Sequence, residues 1–123
     1  AMFEIKVKAT FSSAHNLRNY RGKCEHLHGH NWNVEAVFVY RSLDADGMAI
    51  DFRDAKLMLK ESIEDLDHSY LNDLASFKKV NPTSENIAKF IYGRIRKRNS
   101  RIRSVSVWEN ENSCATYSEG DAK

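Results

Sequence analysis

Apolar and polar positions alternate from the start of the chain. Over residues 3–11, Phe3, Ile5, Val7, Ala9 and Phe11 fall on one side and Glu4, Lys6, Lys8 and Thr10 on the other. A period of two with aromatic and β-branched members predicts a strand buried on one face. The period returns over residues 28–40, where His28, His30, Trp32, Val34, Ala36, Phe38 and Tyr40 share a side. This second strand should be long, with histidines at the first positions of its core face. The polar stretch between them, 16–27, is long enough for an ordered functional loop.

The period then changes. Asp46-Gly47 marks a turn, and residues 48–52 read as extended chain leading into a helix. There Ala55, Met58, Leu59, Ser62, Ile63 and Leu66 follow helical spacing, with Lys56, Lys60, Glu61 and Glu64 outside. A second helix begins at Asn81-Pro82-Thr83-Ser84-Glu85: Thr83 can cap it, and Glu85 suits the positive end of its dipole. Ile87, Ala88, Ile91 and Ile95 form its apolar stripe. Residues 102–109 alternate as a third strand, a turn follows at Glu111, Asn112 and Ser113, and 114–118 make a short fourth strand. The order strand, strand, helix, helix, strand, strand predicts an α+β fold, with two helices on one face of a four-stranded antiparallel sheet.

Composition narrows the partners. The 123 residues are 41% apolar and 29% charged with a net charge of +2, which fits one soluble domain over 1–123. Ala1 reads as a residue left by cloning ahead of a natural start methionine, and 119–123 as a disordered tail. So small a charge does not point to nucleic acid. No apolar run nears the ~18 residues of a membrane span, so no membrane partner is expected either. Cys24 and Cys114 are too few and too far apart for a disulfide framework, which implies free thiols in a reducing cytoplasm. Cys114, in a strand-like run, is expected to be packed.

The candidate chemistry lies in Cys24-Glu25-His26-Leu27-His28-Gly29-His30. Positions i and i+2 of a strand point the same way, so His28 and His30 project together as a preformed chelate for a divalent metal. Gly29 between them leaves the backbone open to close approach. His15, where the first strand runs out, is the natural third ligand; His26, in the loop, is its rival. Three histidines with an open fourth position describe a catalytic zinc site, whereas four protein ligands describe a structural one. Cys24 fits either: a fourth ligand, or a nearby thiolate base.

Other residues extend this reading. Asp67-His68 after the first helix resembles half of an acid–base relay, although neighbours in sequence rarely bond each other and each can serve a different partner. Glu109 shares a face with Val105 and Val107, so its carboxylate either is aimed inward, where it must be paired or serve a ligand, or lies past the sheet's edge and is solvated. A flat heterocycle presenting two N–H donors would suit it. The six cations of residues 94–103 read as a solvated helix end, without the aromatics of a single-strand binder.

Taken in order, His15, Cys24-x-x-x-His28-Gly29-His30, Leu66-Asp67-His68-x-x-Leu71-Asn72, Asn81-Pro82-Thr83-Ser84-Glu85 and Glu109 resemble the pterin synthases of the tunnelling fold. Within that 6-pyruvoyltetrahydropterin synthase family, the interval between the cysteine and the His-Gly-His is similar to that of bacterial 6-carboxytetrahydropterin synthases of queuosine biosynthesis. The resemblance implies zinc on His15, His28 and His30, Cys24 as proton acceptor, and Asp67 with His68 as relay. It further implies Glu109, with Thr83 or Ser84, holding the pterin of dihydroneopterin triphosphate. Homo-oligomers, trimers or hexamers with sites between subunits, are implied too. The alternatives are 6-pyruvoyltetrahydropterin synthesis and, from another class, a non-catalytic zinc-stabilised binding module that would unfold on chelation.

Overall fold

The two long alternating segments form strands paired along their whole length. The structure, a computed structural model, describes residues 2–21 and 26–120. β1 (Phe3–His15) and β2 (His28–Tyr40) run antiparallel in unbroken register, from Phe3↔Tyr40 at one end to His15↔His28 at the other. β1 therefore extends past Phe11. Ser13 and His15 keep the inward alternation with polar side chains, and pairing with the histidine segment of β2 holds them in the sheet.

β4 (Ile102–Asn110) pairs with the other side of β2, and β5 (Ser113–Tyr117) turns back on β4. The sheet differs from the expected one by a strand. β3, only Ser69–Tyr70, joins β1 in parallel through Ser13↔Ser69 and Ala14↔Tyr70, giving the order β3-β1-β2-β4-β5. Two residues carry no readable period, and their place is set by the chain leaving the first helix.

That helix, α1, spans Phe52–Ser62, with Asp51 capping it through a 2.8 Å bond from the Arg53 amide. Ile63 and Leu66 follow the helical stripe and are buried as expected, but they lie in turns beyond the helix. α2 spans Ser84–Arg96, and Thr83 is its cap, its hydroxyl accepting the Asn86 amide at 3.1 Å. Both helices pack on one face of the sheet, α1 against β1 and α2 against β4 and β5. Trp32, Val34, Ala36, Phe38, Leu59 and Ile91 are buried between the layers. Each such side chain contributes roughly 1.5–3 kcal/mol of transfer free energy, Ala36 less.

Part of the basic run is a clamp between the helices. Arg94 grips Asp65 with two bonds of 2.6 and 2.9 Å and also donates to the Ser62 carbonyl, while Arg98 pairs with Glu61. Cys114 departs from expectation: β5 is an edge strand, and the thiol is exposed on it. Among the described residues no helix is long and apolar enough to cross a membrane.

Candidate active site

The register of β1 and β2 builds the centre. His15 faces His28 directly across the pair and Ser13 faces His30, so three imidazoles crowd one end of the sheet's inner face. The ring centroids of His15, His28 and His30 lie 4.6–5.2 Å apart. Trp32 forms the floor, edge-on to His15 at 4.9 Å and to His30 at 5.2 Å, and stacked on Phe11.

Glu109 arrives from β4. Its Oε2 lies 3.3 Å from His15 Nε2 and 3.0 Å from His30 Nε2. One donor atom from each of His15, His28, His30 and Glu109 falls within 4.8 Å of all the others. Of the two readings of this acid the inward one holds, and the object it meets is the histidine cluster.

Backbone carbonyls set the tautomers. His15 Nδ1 donates to the Pro82 carbonyl at 2.8 Å, and His28 Nδ1 to the His26 carbonyl at 2.9 Å. In the neutral ring a proton on Nδ1 leaves Nε2 as the lone pair, directed at the cluster. Among the described residues the buried His15 Nε2 has no hydrogen-bond partner. A cation between that nitrogen and the carboxylate oxygen 3.3 Å away would satisfy both, and three imidazoles with a carboxylate are a donor set that fits a divalent metal such as zinc. His26 serves through its main chain; its exposed ring is outside the cluster.

The proposed relay residues do bond each other, contrary to the sequence expectation. His68 Nδ1 lies 3.1 Å from Asp67 Oδ2, because His68 adopts a left-handed conformation at φ 56°. Ser12 holds this conformation from both sides: its carbonyl accepts the His68 amide at 2.5 Å, and its amide donates to Asp67 Oδ1 at 2.8 Å. That Ser12 bond, with the nearby His68, keeps the Asp67 carboxyl below its ordinary range. The His68 side chain is 83% exposed. It lines an open cleft of about 510 Å³ with His30, Gly29, Asn31 and Tyr70. A Cβ on Gly29 would meet only Ser13 O at an ordinary 3.7 Å, so this glycine keeps the cleft wide rather than relieving a clash.

Thr83 and Ser84 sit at the start of α2, immediately after the Pro82 carbonyl that holds His15; Thr83 Oγ1 is engaged as the cap. Cys24 and Glu25 lie outside the described residues. The chain leading to them is anchored by two asparagines that sequence reading left without a role. Asn72 bonds both the amide and the carbonyl of Asn16, at 3.0 and 2.8 Å, and Asn81 does the same for Arg18, at 2.8 and 3.1 Å. Each mimics a backbone partner, which a lone asparagine between Leu71 and Asp73, or before Pro82, does not announce.

Comparison with known proteins agrees with this arrangement. Residues 4–120 match the family model described as 6-pyruvoyl tetrahydropterin synthase. A 6-carboxy-5,6,7,8-tetrahydropterin synthase of Haemophilus influenzae is 31% identical, over 96% of this chain and all of that protein. The 6-pyruvoyl tetrahydrobiopterin synthase of Homo sapiens is 34% identical, over 93% of this chain and 90% of its own. In structure, the Caenorhabditis elegans 6-pyruvoyl tetrahydropterin synthase superimposes with a TM-score of 0.87 at 24% identity, covering 98% of this chain and 97% of that one. With one model matching nearly end to end and relatives above 30% identity at almost full coverage, the chain belongs to the 6-pyruvoyl tetrahydropterin synthase family of enzymes.

Proposed function

We propose that the protein is a cytoplasmic, zinc-dependent carbon–carbon lyase of queuosine and 7-deazaguanine biosynthesis. It converts 7,8-dihydroneopterin triphosphate to 6-carboxy-5,6,7,8-tetrahydropterin, releasing acetaldehyde and triphosphate. The observation that carries this reading is the buried His15 Nε2, without a hydrogen bond among the described residues and within 4.8 Å of donor atoms of His28, His30 and Glu109. The names of relatives such as the H. influenzae protein supply the reaction.

His15, His28 and His30 hold the ion, with Pro82 and His26 carbonyls fixing the two rings that present bare Nε2 atoms. Bound there, zinc makes the substrate's side-chain hydroxyls more acidic and stabilises negative charge on them. Cys24, as thiolate, withdraws a proton from the side chain next to the pterin ring. His68, oriented by Asp67 and exposed on the cleft, passes protons between that reaction and solvent. Glu109 accepts hydrogen bonds from the substrate, and Thr83 or Ser84 offers it the N-terminal end of α2. Among the described residues β3 and β5 are the outer edges of the sheet, which supports a homo-oligomer, a trimer or hexamer, in which a neighbour adds to each site.

The test is incubation with dihydroneopterin triphosphate, with and without chelator, and identification of products by mass. Acetaldehyde with the 6-carboxy product is expected; a 6-pyruvoyl product assigns the human relative's reaction, and no zinc dependence overturns the proposal. Cys24→Ala should keep stoichiometric zinc and lose about 10²–10⁴-fold in turnover.

A further inference from the structure

We infer that Glu109 closes the fourth position of the metal centre in the resting protein, and that a vicinal diol displaces it. This rests on the zinc reading above. The spacing is the first argument. Donors around a tetrahedral zinc at 2.0–2.1 Å stand roughly 3.3 Å from one another. Glu109 Oε2 stands 3.3 Å from His15 Nε2 and 3.0 Å from His30 Nε2, the separation of fellow ligands.

The second argument is direction. Nδ1 of His15 is taken by the Pro82 carbonyl, so Nε2 is the ring nitrogen turned to the cluster. Among the described residues it forms no hydrogen bond, although Glu109 Oε2 is 3.3 Å away, and a shared cation accounts for that approach.

The third argument is unequal confinement. The His15 side chain is 3% exposed and held in the unbroken β1–β2 register, whereas that of Glu109 is 35% exposed. Glu109 also sits where the β4–β5 register slips, between Trp108 and Asn110. It is less confined than His15 or the 25% exposed His30: rotation of its side chain toward the open edge clears the position without disturbing a strand pair. A diol offers two adjacent oxygens in its place, and the released carboxylate becomes an acceptor for the incoming molecule's O–H or N–H groups. The exchange moves no electrons and needs no proton beyond those of the diol.

Cobalt(II)-substituted protein tests this through its visible absorption, with zinc affinity measured beside it. In the absence of substrate, Glu109→Ala and Glu109→Gln should both shift the cobalt bands and weaken zinc by about ten- to a hundredfold. Neopterin, which carries the diol without the triphosphate, should move the wild-type spectrum toward that of Glu109→Ala. Circular dichroism establishes that each variant is folded. If folded variants bind zinc with unchanged affinity and an unchanged cobalt spectrum, Glu109 is not a ligand and the inference falls while the three-histidine centre stands. If wild type binds neither metal, or His28→Ala binds both equally well, the zinc reading fails first.

Discussion

β2 runs the same inner face through two environments. At its C-terminal end Val34, Ala36 and Phe38 lie opposite Ala9, Val7 and Ile5 in the core. At its N-terminal end His30 and His28 lie opposite Ser13 and His15. The strand geometry is continuous, and Trp32 divides the two, packed on Phe11 on one side and on His15 and His30 on the other. One end fixes the sheet so that the other can hold polar groups at ligand distances. Stability and chemistry are thereby separated along one strand.

That separation can be broken from either side. Phe38→Ala should cost about 3–5 kcal/mol in denaturant unfolding while each folded molecule still binds its metal. His28→Ala should abolish stoichiometric zinc binding, measured by metal analysis after dialysis, while changing the stability of the metal-free protein by no more than about 1 kcal/mol. Equal stability losses would mean that the histidines are part of the core.

Asn72 tests whether the loop anchor belongs to the chemical end. Asn72→Ala leaves the amide and carbonyl of Asn16 without these partners, and should cost about 1–3 kcal/mol. Turnover should fall more than stability explains, because the same loop leads to Cys24; comparing kcat at a temperature where the variant is fully folded checks this. Thr83→Ala removes one cap bond and should cost about 1 kcal/mol by thermal melting.

Acid gives the smallest effect. Bonds from Arg94 keep Asp65 below the ordinary carboxylate range, and the Ser12 amide does so for Asp67. Lowered folded-state values mean that this stability is present above the unfolded value near 3.8 and lost as pH falls through the folded ones. Asp65 is half exposed, so Asp65→Asn should flatten the loss below that pH by well under about 1 kcal/mol in acid titrations.

Much of this was legible without coordinates. Alternation placed β1, β2 and β4, helical spacing placed α1 and α2, and Thr83 marked its own helix. Those signals work because burial is periodic and a cap needs a particular side chain. His28 and His30 shared a face for the same reason, and Glu109 shared one with Val105 and Val107. The sequence left His15 and His26 as rivals, because strand ends cannot be located by period once polar residues replace apolar ones.

Tertiary structure decided the remainder. Only the β1–β2 register sets His15 opposite His28, and only the crossing of β4 brings Glu109 to both His15 and His30. The carbonyls of Pro82 and His26 select the tautomers, and every residue has a carbonyl, so no letter records that use. Ser12 bends Asp67 and His68 together against their usual conformation in the same way, through its main chain. Side-chain pattern dictates which groups face inward; distances between groups far apart in the chain depend on backbone pairing, which sequence does not spell out.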